Sequence, residues 1–113
     1  DLDGWQDLFA TNGHVDDIVA TYQSELTFRQ KPLLFRNEKG ERFEDVTARA
    51  GMDFQIVGRG AACGDIDGDG DLDLGIVDNG GRFRLLRNDG GEKRRWVRLK
   101  LVGTRSNRDA IGA

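Results

Sequence analysis

The sequence predicts an all-β protein built of short antiparallel strands in two related copies, and three observations carry that prediction. Glycine occurs 16 times against a single proline, which suits a chain with many tight turns. Short apolar runs, Leu8-Phe9-Ala10 and Leu74-Gly75-Ile76-Val77, each lead to an Asn-Gly pair, Asn12-Gly13 and Asn79-Gly80, a strong turn signal. An Asp-rich stretch also recurs. Asp1-Leu2-Asp3-Gly4-Trp5-Gln6-Asp7-Leu8 matches Asp67-Gly68-Asp69-Gly70-Asp71-Leu72-Asp73-Leu74, so that Asp3 answers Asp69 at an offset of 66 residues. At 113 residues the chain is one domain at most by size.

The second Asp-rich stretch, Asp65 to Asp73, reads as a calcium loop. Carboxylates at loop positions 1, 3, 5 and 9 (Asp65, Asp67, Asp69, Asp73) converge if the chain bends sharply, and Gly70 at position 6 permits the bend. Asp71 at position 7 would contribute its backbone carbonyl. All donors are hard oxygens, which suits calcium better than zinc or copper, and neither His14 nor Cys63 belongs to the loop. Two unit charges about 5 Å apart repel by roughly 3 kcal/mol at an effective dielectric of about 20, and four gathered carboxylates contain six such pairs. Such a group favours a cation, protonation or splaying into water. A solvated acidic turn is the plain alternative, opposed by the alternation of Asp65, Asp67 and Asp69 followed at once by Gly70. An EF-hand needs a Glu at position 12 and flanking helices, whereas position 12 is Ile76 and the flanks are glycine-rich or short and apolar. The loop therefore joins strands. In the first copy Asp1, Asp3 and Asp7 fill positions 3, 5 and 9, and position 1 would precede residue 1. That first site is expected to be incomplete in this chain and whole in a longer parent.

A second element recurs downstream, where Leu34-Phe35-Arg36-Asn37 is answered by Leu85-Leu86-Arg87-Asn88. The longer spacing in the first copy is an insertion of 15 residues between Gly13 and Pro32. Within it, around residues 14 to 31, Val15, Ile18, Val19, Tyr22 and Leu26 recur at three or four residues and permit a short amphipathic helix, which Thr21 and Ser24 weaken. Arg42-Phe43-Glu44-Asp45-Val46 reads as a strand with Phe43 and Val46 in the core. Thr47-Ala48-Arg49-Ala50-Gly51 reads as one helical turn stopped by glycine. Trp96 to Val102 is the longest alternating strand, followed by a polar loop.

Composition narrows the function. Residues 92 to 113 hold seven Lys or Arg against Glu92 and Asp109, about +5, while the rest of the chain is about -8. Nucleic acid is not the expected partner, because Arg98 and Lys100 alternate with Val97, Leu99 and Leu101 as the wet face of a strand. Cys63 is the single cysteine and reads as a small packed residue, and His14 as an exposed or capping histidine. No run approaches the roughly 18 apolar residues of a membrane span, and a signal peptide is not expected within these residues, because residue 1 already lies inside a motif. An enzyme reading would give the Asp loop a catalytic metal or use Asp pairs as acid and base. No nucleophile motif accompanies the loop, so a non-catalytic role is expected.

A repeat of about 60 residues with short strands around an Asp loop points to propeller blades or a solenoid. The loop Asp65 to Asp73, with Leu34-Phe35-Arg36-Asn37, Arg42-Phe43-Glu44-Asp45-Val46-Thr47 and Ala50-Gly51, resembles FG-GAP (VCBS-type) repeats, the blades of the integrin α-subunit propeller. Residues 96 to 113 are similar to the opening of the ASPIC/UnbV domain of bacterial secreted proteins and cartilage acidic protein. The resemblance divides the chain into repeats over residues 1–91 and the start of a second domain over 92–113. It implies a secreted or periplasmic, calcium-stabilised β-propeller that binds a protein or glycan partner, with metal ligands at Asp65, Asp67, Asp69, Asp71 and Asp73. Relatives of this type also accompany bacterial biosynthetic pathways, which leaves an accessory or metal-dependent enzymatic role as the alternative.

Overall fold

The computed structural model describes residues 1–90, 97, 99–105 and 107–109. Its strands form two antiparallel three-stranded sheets. The first contains β1 (Leu8–Ala10), β2 (Leu33–Glu38) and β3 (Arg42–Asp45) in that order. The second contains β4 (Gly58–Gly64), β5 (Asp73–Asp78) and β6 (Arg84–Leu86), also in that order. The fold is all-β, and the two small sheets are what blade fragments would be.

The internal repeat survives as register. Leu8 pairs with Phe35 in the first sheet and Leu74 with Leu86 in the second, so equivalent residues of the two copies meet across equivalent ladders. The Asp65 to Asp73 stretch links β4 to β5, strand to strand, as its flanks predicted. The hairpin between β2 and β3 turns at Lys39 and Gly40, both with positive φ (56° and 81°), and Glu41 N–H donates to the Glu38 carbonyl at 3.0 Å. That handedness matches the twist of the flanking strands. Gly40 is needed twice over, since a Cβ there would lie 2.9 Å from the Trp5 ring.

Asp45, Val46 and Thr47 fasten the end of β3 to β2. Val46 N–H donates to the Leu34 carbonyl at 2.9 Å, and Leu34 N–H donates to Thr47 Oγ1 at 2.9 Å. Asp45 Oδ1 accepts the Thr47 N–H at 2.9 Å, closing an Asx turn. The buried Thr47 hydroxyl thus replaces a ladder partner where the strand departs. Thr47→Val is expected to destabilise by about 1–2 kcal/mol, because the Leu34 N–H loses its acceptor, while Thr47→Ser holds close to wild type. Urea unfolding of the two variants checks this. Beyond Thr47 the chain makes the predicted helical turn. Ala50 N–H reaches the Val46 carbonyl (2.9 Å), and Gly51 (φ 73°) and Met52 then donate to the carbonyls of Ala48 and Thr47 (both 3.1 Å). This is a Schellman ending with the buried Met52 beneath it.

The core comprises Val19, Val46, Met52, Ile56, Val57 and Ile76. It is centred on the segment 56–58, whose backbone serves both copies. Ile56 exchanges two hydrogen bonds with Gln30 (2.8 and 2.9 Å), and Asn79 N–H donates to the Val57 carbonyl (2.8 Å). Val57 N–H donates to Asp78 Oδ1 (2.9 Å), and Gly58 N–H to the Asn12 carbonyl (2.7 Å).

Five expectations are corrected. Cys63, read as a small packed residue, is exposed on β4. The insertion forms only a 3-10 turn at Val19–Thr21; Val19 is buried, but Val15, Ile18, Tyr22 and Leu26 are exposed. Local bonds compete with a helix there: Asp16 N–H donates to His14 Nδ1 (3.1 Å), Ile18 N–H to Asp16 Oδ1 (3.0 Å) and the Thr21 hydroxyl to the Ile18 carbonyl (2.8 Å). Phe43 is 49% exposed, because nothing covers its face of β3, and only Val46, beyond the strand's end, is buried. Asn79-Gly80 is a turn, with Gly80 at φ 71°, but Asn12-Gly13 is not. Gly13 instead lies against the seam, where a Cβ would fall 2.7 Å from Val57 Cα. The strand read over Trp96 to Val102 lies partly outside the described residues; among those described, Val97 and residues 99 to 102 carry no strand, and Val97, Leu99, Leu101 and Val102 are exposed. No helix among the described residues is long and apolar enough to cross a membrane.

Candidate metal centre

The loop between β4 and β5 is bent by its glycines and braced by its own carboxylates. Gly68 and Gly70 take positive φ (85° and 98°), so position 4 as well as position 6 is left-handed. Gly68 N–H donates to Asp65 Oδ1 at 2.7 Å, Asp69 N–H to Asp67 Oδ1 at 3.2 Å and Asp71 N–H to Asp69 Oδ1 at 2.9 Å. Three alternate side chains, Asp65, Asp67 and Asp69, are therefore folded back onto the loop's own backbone.

Asp73 closes the arrangement from the first position of β5. It is only 2% exposed, and both of its oxygens accept backbone donors: Oδ2 from Ile66 N–H and Oδ1 from Asn88 N–H, each at 2.9 Å. These two bonds, Asn88 first, hold its carboxyl below the usual carboxylate range, and the nearby Arg87 charge adds to the effect. Asp73 thus stays ionised where a cation would want it.

One oxygen from each of Asp65, Asp67 and Asp73 lies within 4.8 Å of the others, a group that could hold a metal ion. Asp69 falls instead in a second group with Asp67 and Asp89. Asp71 belongs to neither group, and its side chain is fully buried. Asp89 was not singled out in the sequence, although it directly follows Asn88 at the end of the recurring strand motif. Arg87 stands beside both groups, with Nη1 3.8 Å from Asp67 Oδ2 and Nε 2.8 Å from Asp89 Oδ1. Its guanidinium is held above its ordinary value chiefly by Asp89.

The first copy has the same local form. Asp3 N–H donates to Asp1 Oδ1 (3.1 Å), Trp5 N–H to Asp3 Oδ1 (2.9 Å) and Asn37 N–H to Asp7 Oδ1 (2.8 Å), each matching a bond in the second loop. Leu2 and Gly4 (φ 57° and 93°) stand where Gly68 and Gly70 do, so a leucine occupies a conformation that favours glycine. Asp1, Asp3 and Asp7 form no three-carboxylate group among the described residues. The donor set of the second loop, carboxylate oxygens alone, fits a hard divalent cation such as calcium.

No curated protein and no solved structure matches the chain. The FG-GAP-like repeat family does match it, over residues 1–76. Residues 1–76 include two Asp loops that share two internal bonds, each loop leading into an antiparallel strand. The chain belongs to the FG-GAP-like repeat family.

Proposed function

We propose that this chain is a calcium-binding module of a secreted or cell-surface β-propeller, with a structural and binding role and no catalytic one. The convergence of Asp65, Asp67 and Asp73 carries the reading. An ion there would neutralise the gathered acids and tie the start of the loop to the first residue of β5, stiffening the rim of a blade. An affinity of about 10⁻⁴ to 10⁻³ M would suffice outside the cytoplasm, where calcium is abundant. Asp69, the Asp71 carbonyl and waters would complete the coordination. The recognised partner would be a protein or a glycan. Residues 92 to 113 would open an ASPIC/UnbV domain, a reading supported by their sequence similarity alone.

Calorimetric titration with calcium, alongside melting in calcium and in chelator, tests the proposal. The expected result is saturable binding near one site, with stabilisation of about 1.4 kcal/mol at calcium ten times Kd. Asp65→Ala is expected to abolish both effects. A folded wild-type sample that shows neither binding nor a melting shift would overturn the calcium reading.

A further inference from the structure

The loop holds only one oxygen of its ninth residue, through Ile66 N–H to Asp73 Oδ2 at 2.9 Å; the other is held from outside the loop. In each copy the holder is an asparagine from the sheet's second recurring strand motif, Asn37 at the end of β2 and Asn88 just beyond β6. The backbone N–H of each donates to the carboxylate, at 2.8 Å to Asp7 and 2.9 Å to Asp73. Any residue supplies that N–H. The carboxamide is what fixes where it points. Its Nδ2 donates to the carbonyl of the residue before the Asp, Gln6 at 3.0 Å and Leu72 at 3.4 Å. Its Oδ1 accepts the N–H of a following glycine, Gly40 at 2.7 Å and Gly90 at 3.1 Å. One side chain thus joins the Asp loop, the strand end and the next turn, and does so in two independent copies.

We propose that Asn88 is a positioning residue of the metal loop, whose carboxamide locks the Asp73 carboxylate in its ligating orientation. The inference rests on the calcium reading above. With Oδ1 bound to Asn88 N–H and Oδ2 to Ile66 N–H, the carboxylate cannot rotate, and its remaining lone pairs are left for the ion. Leucine, serine or alanine at residue 88 would keep the N–H and lose the lock. Asparagine is the side chain that offers a donor and an acceptor at this reach.

The test is calcium titration of wild type, Asn88→Ala, Asn88→Ser and Asp73→Ala, with melting in chelator and amide exchange in the calcium-free state. Asn88→Ala is expected to bind calcium roughly tenfold more weakly, the low end for residues that orient metal ligands. Asn88→Ser, with a shorter acceptor and no amide donor, is expected to be weakened as well and provides a second folded sample. In the chelator both variants should lose less than Asp73→Ala, because the carboxamide's two bonds are exposed whereas those of Asp73 are part-buried, while the backbone amide of residue 88 exchanges faster and the Ile76 amide is unchanged. A merely structural role would lower the melting point by the same amount in calcium and in chelator and leave the affinity alone. Wild-type affinity in either asparagine variant, beside loss in Asp73→Ala, overturns the positioning role and leaves the calcium reading standing. Absence of binding in folded wild type overturns both.

Discussion

Asp73→Ala is expected to abolish calcium binding and to lower the melting midpoint of the calcium-free protein by roughly 5–10 °C, the scale of one or two lost hydrogen bonds in a domain this small. Two roles meet in this side chain. It is one of the three carboxylates that converge, and it is the acceptor for Ile66 N–H and Asn88 N–H. Asp73→Asn separates the roles, since the amide keeps one acceptor oxygen but carries no charge: calcium binding is lost and part of the melting loss is recovered. The pH dependence follows from the lowered carboxyl value. A group whose folded pKa is depressed stabilises above its unfolded value, near 3.9, and loses that contribution as pH falls through the folded value. In the chelator the gap between wild type and Asp73→Asn should therefore be constant from pH 7 to about 5 and close below about 4. Calcium titration and melting curves across that range check the prediction. Retained wild-type affinity in Asp73→Asn would remove Asp73 from the ligand set.

Ile56→Ala is expected to cost about 2–5 kcal/mol, the range for emptying a fully buried aliphatic site. Ile56 has no exposed surface, and its backbone is bridged to Gln30, so the cavity would open where the insertion is anchored. Two readouts distinguish this from ordinary core loss. Urea unfolding should show the full cost, and limited proteolysis should cut within residues 14 to 31 faster than in wild type. Ile76→Ala empties an equally buried site inside the second sheet and should match the first readout without the second. Ile56→Val, which removes a single methyl group, should cost only about 0.5–1.5 kcal/mol.

The readings that held were those written in local chemistry. Alternating aspartates with Gly70 between them fixed a bent loop because the bend is made by the loop's own side chains and by left-handed glycine. Gly51 stopped a helical turn for the same local reason. The readings that failed needed a neighbour. Asn12-Gly13 resembles a hairpin turn, but the glycine is there because Val57, far off in sequence, passes too close for a side chain. Phe43 has the alternation of a core residue, and nothing in its own strand tells that its face would be left uncovered. The periodicity of the insertion was outvoted by Asp16, His14 and Thr21, whose polar atoms captured the backbone before a helix could. Asn37 and Asn88 were visible as a repeat, but their purpose was not, since the carboxylates they hold lie 30 and 15 residues away.

The segment 56–58 lies between two copies in sequence, yet it exchanges hydrogen bonds with Gln30, donates to Asp78 and Asn12, and accepts from Asn79. The unit that repeats in sequence is therefore not the unit whose hydrogen bonds are self-contained. A protein engineer who excised residues 58 to 90 as a single repeat would keep β4, β5 and β6 and strand the acceptors and donors that Val57 and Asn12 had satisfied. Exchange, insertion or permutation of such repeats should respect a boundary set inside the preceding copy, where each blade is locked to its neighbour, and not the boundary at which the Asp pattern begins again.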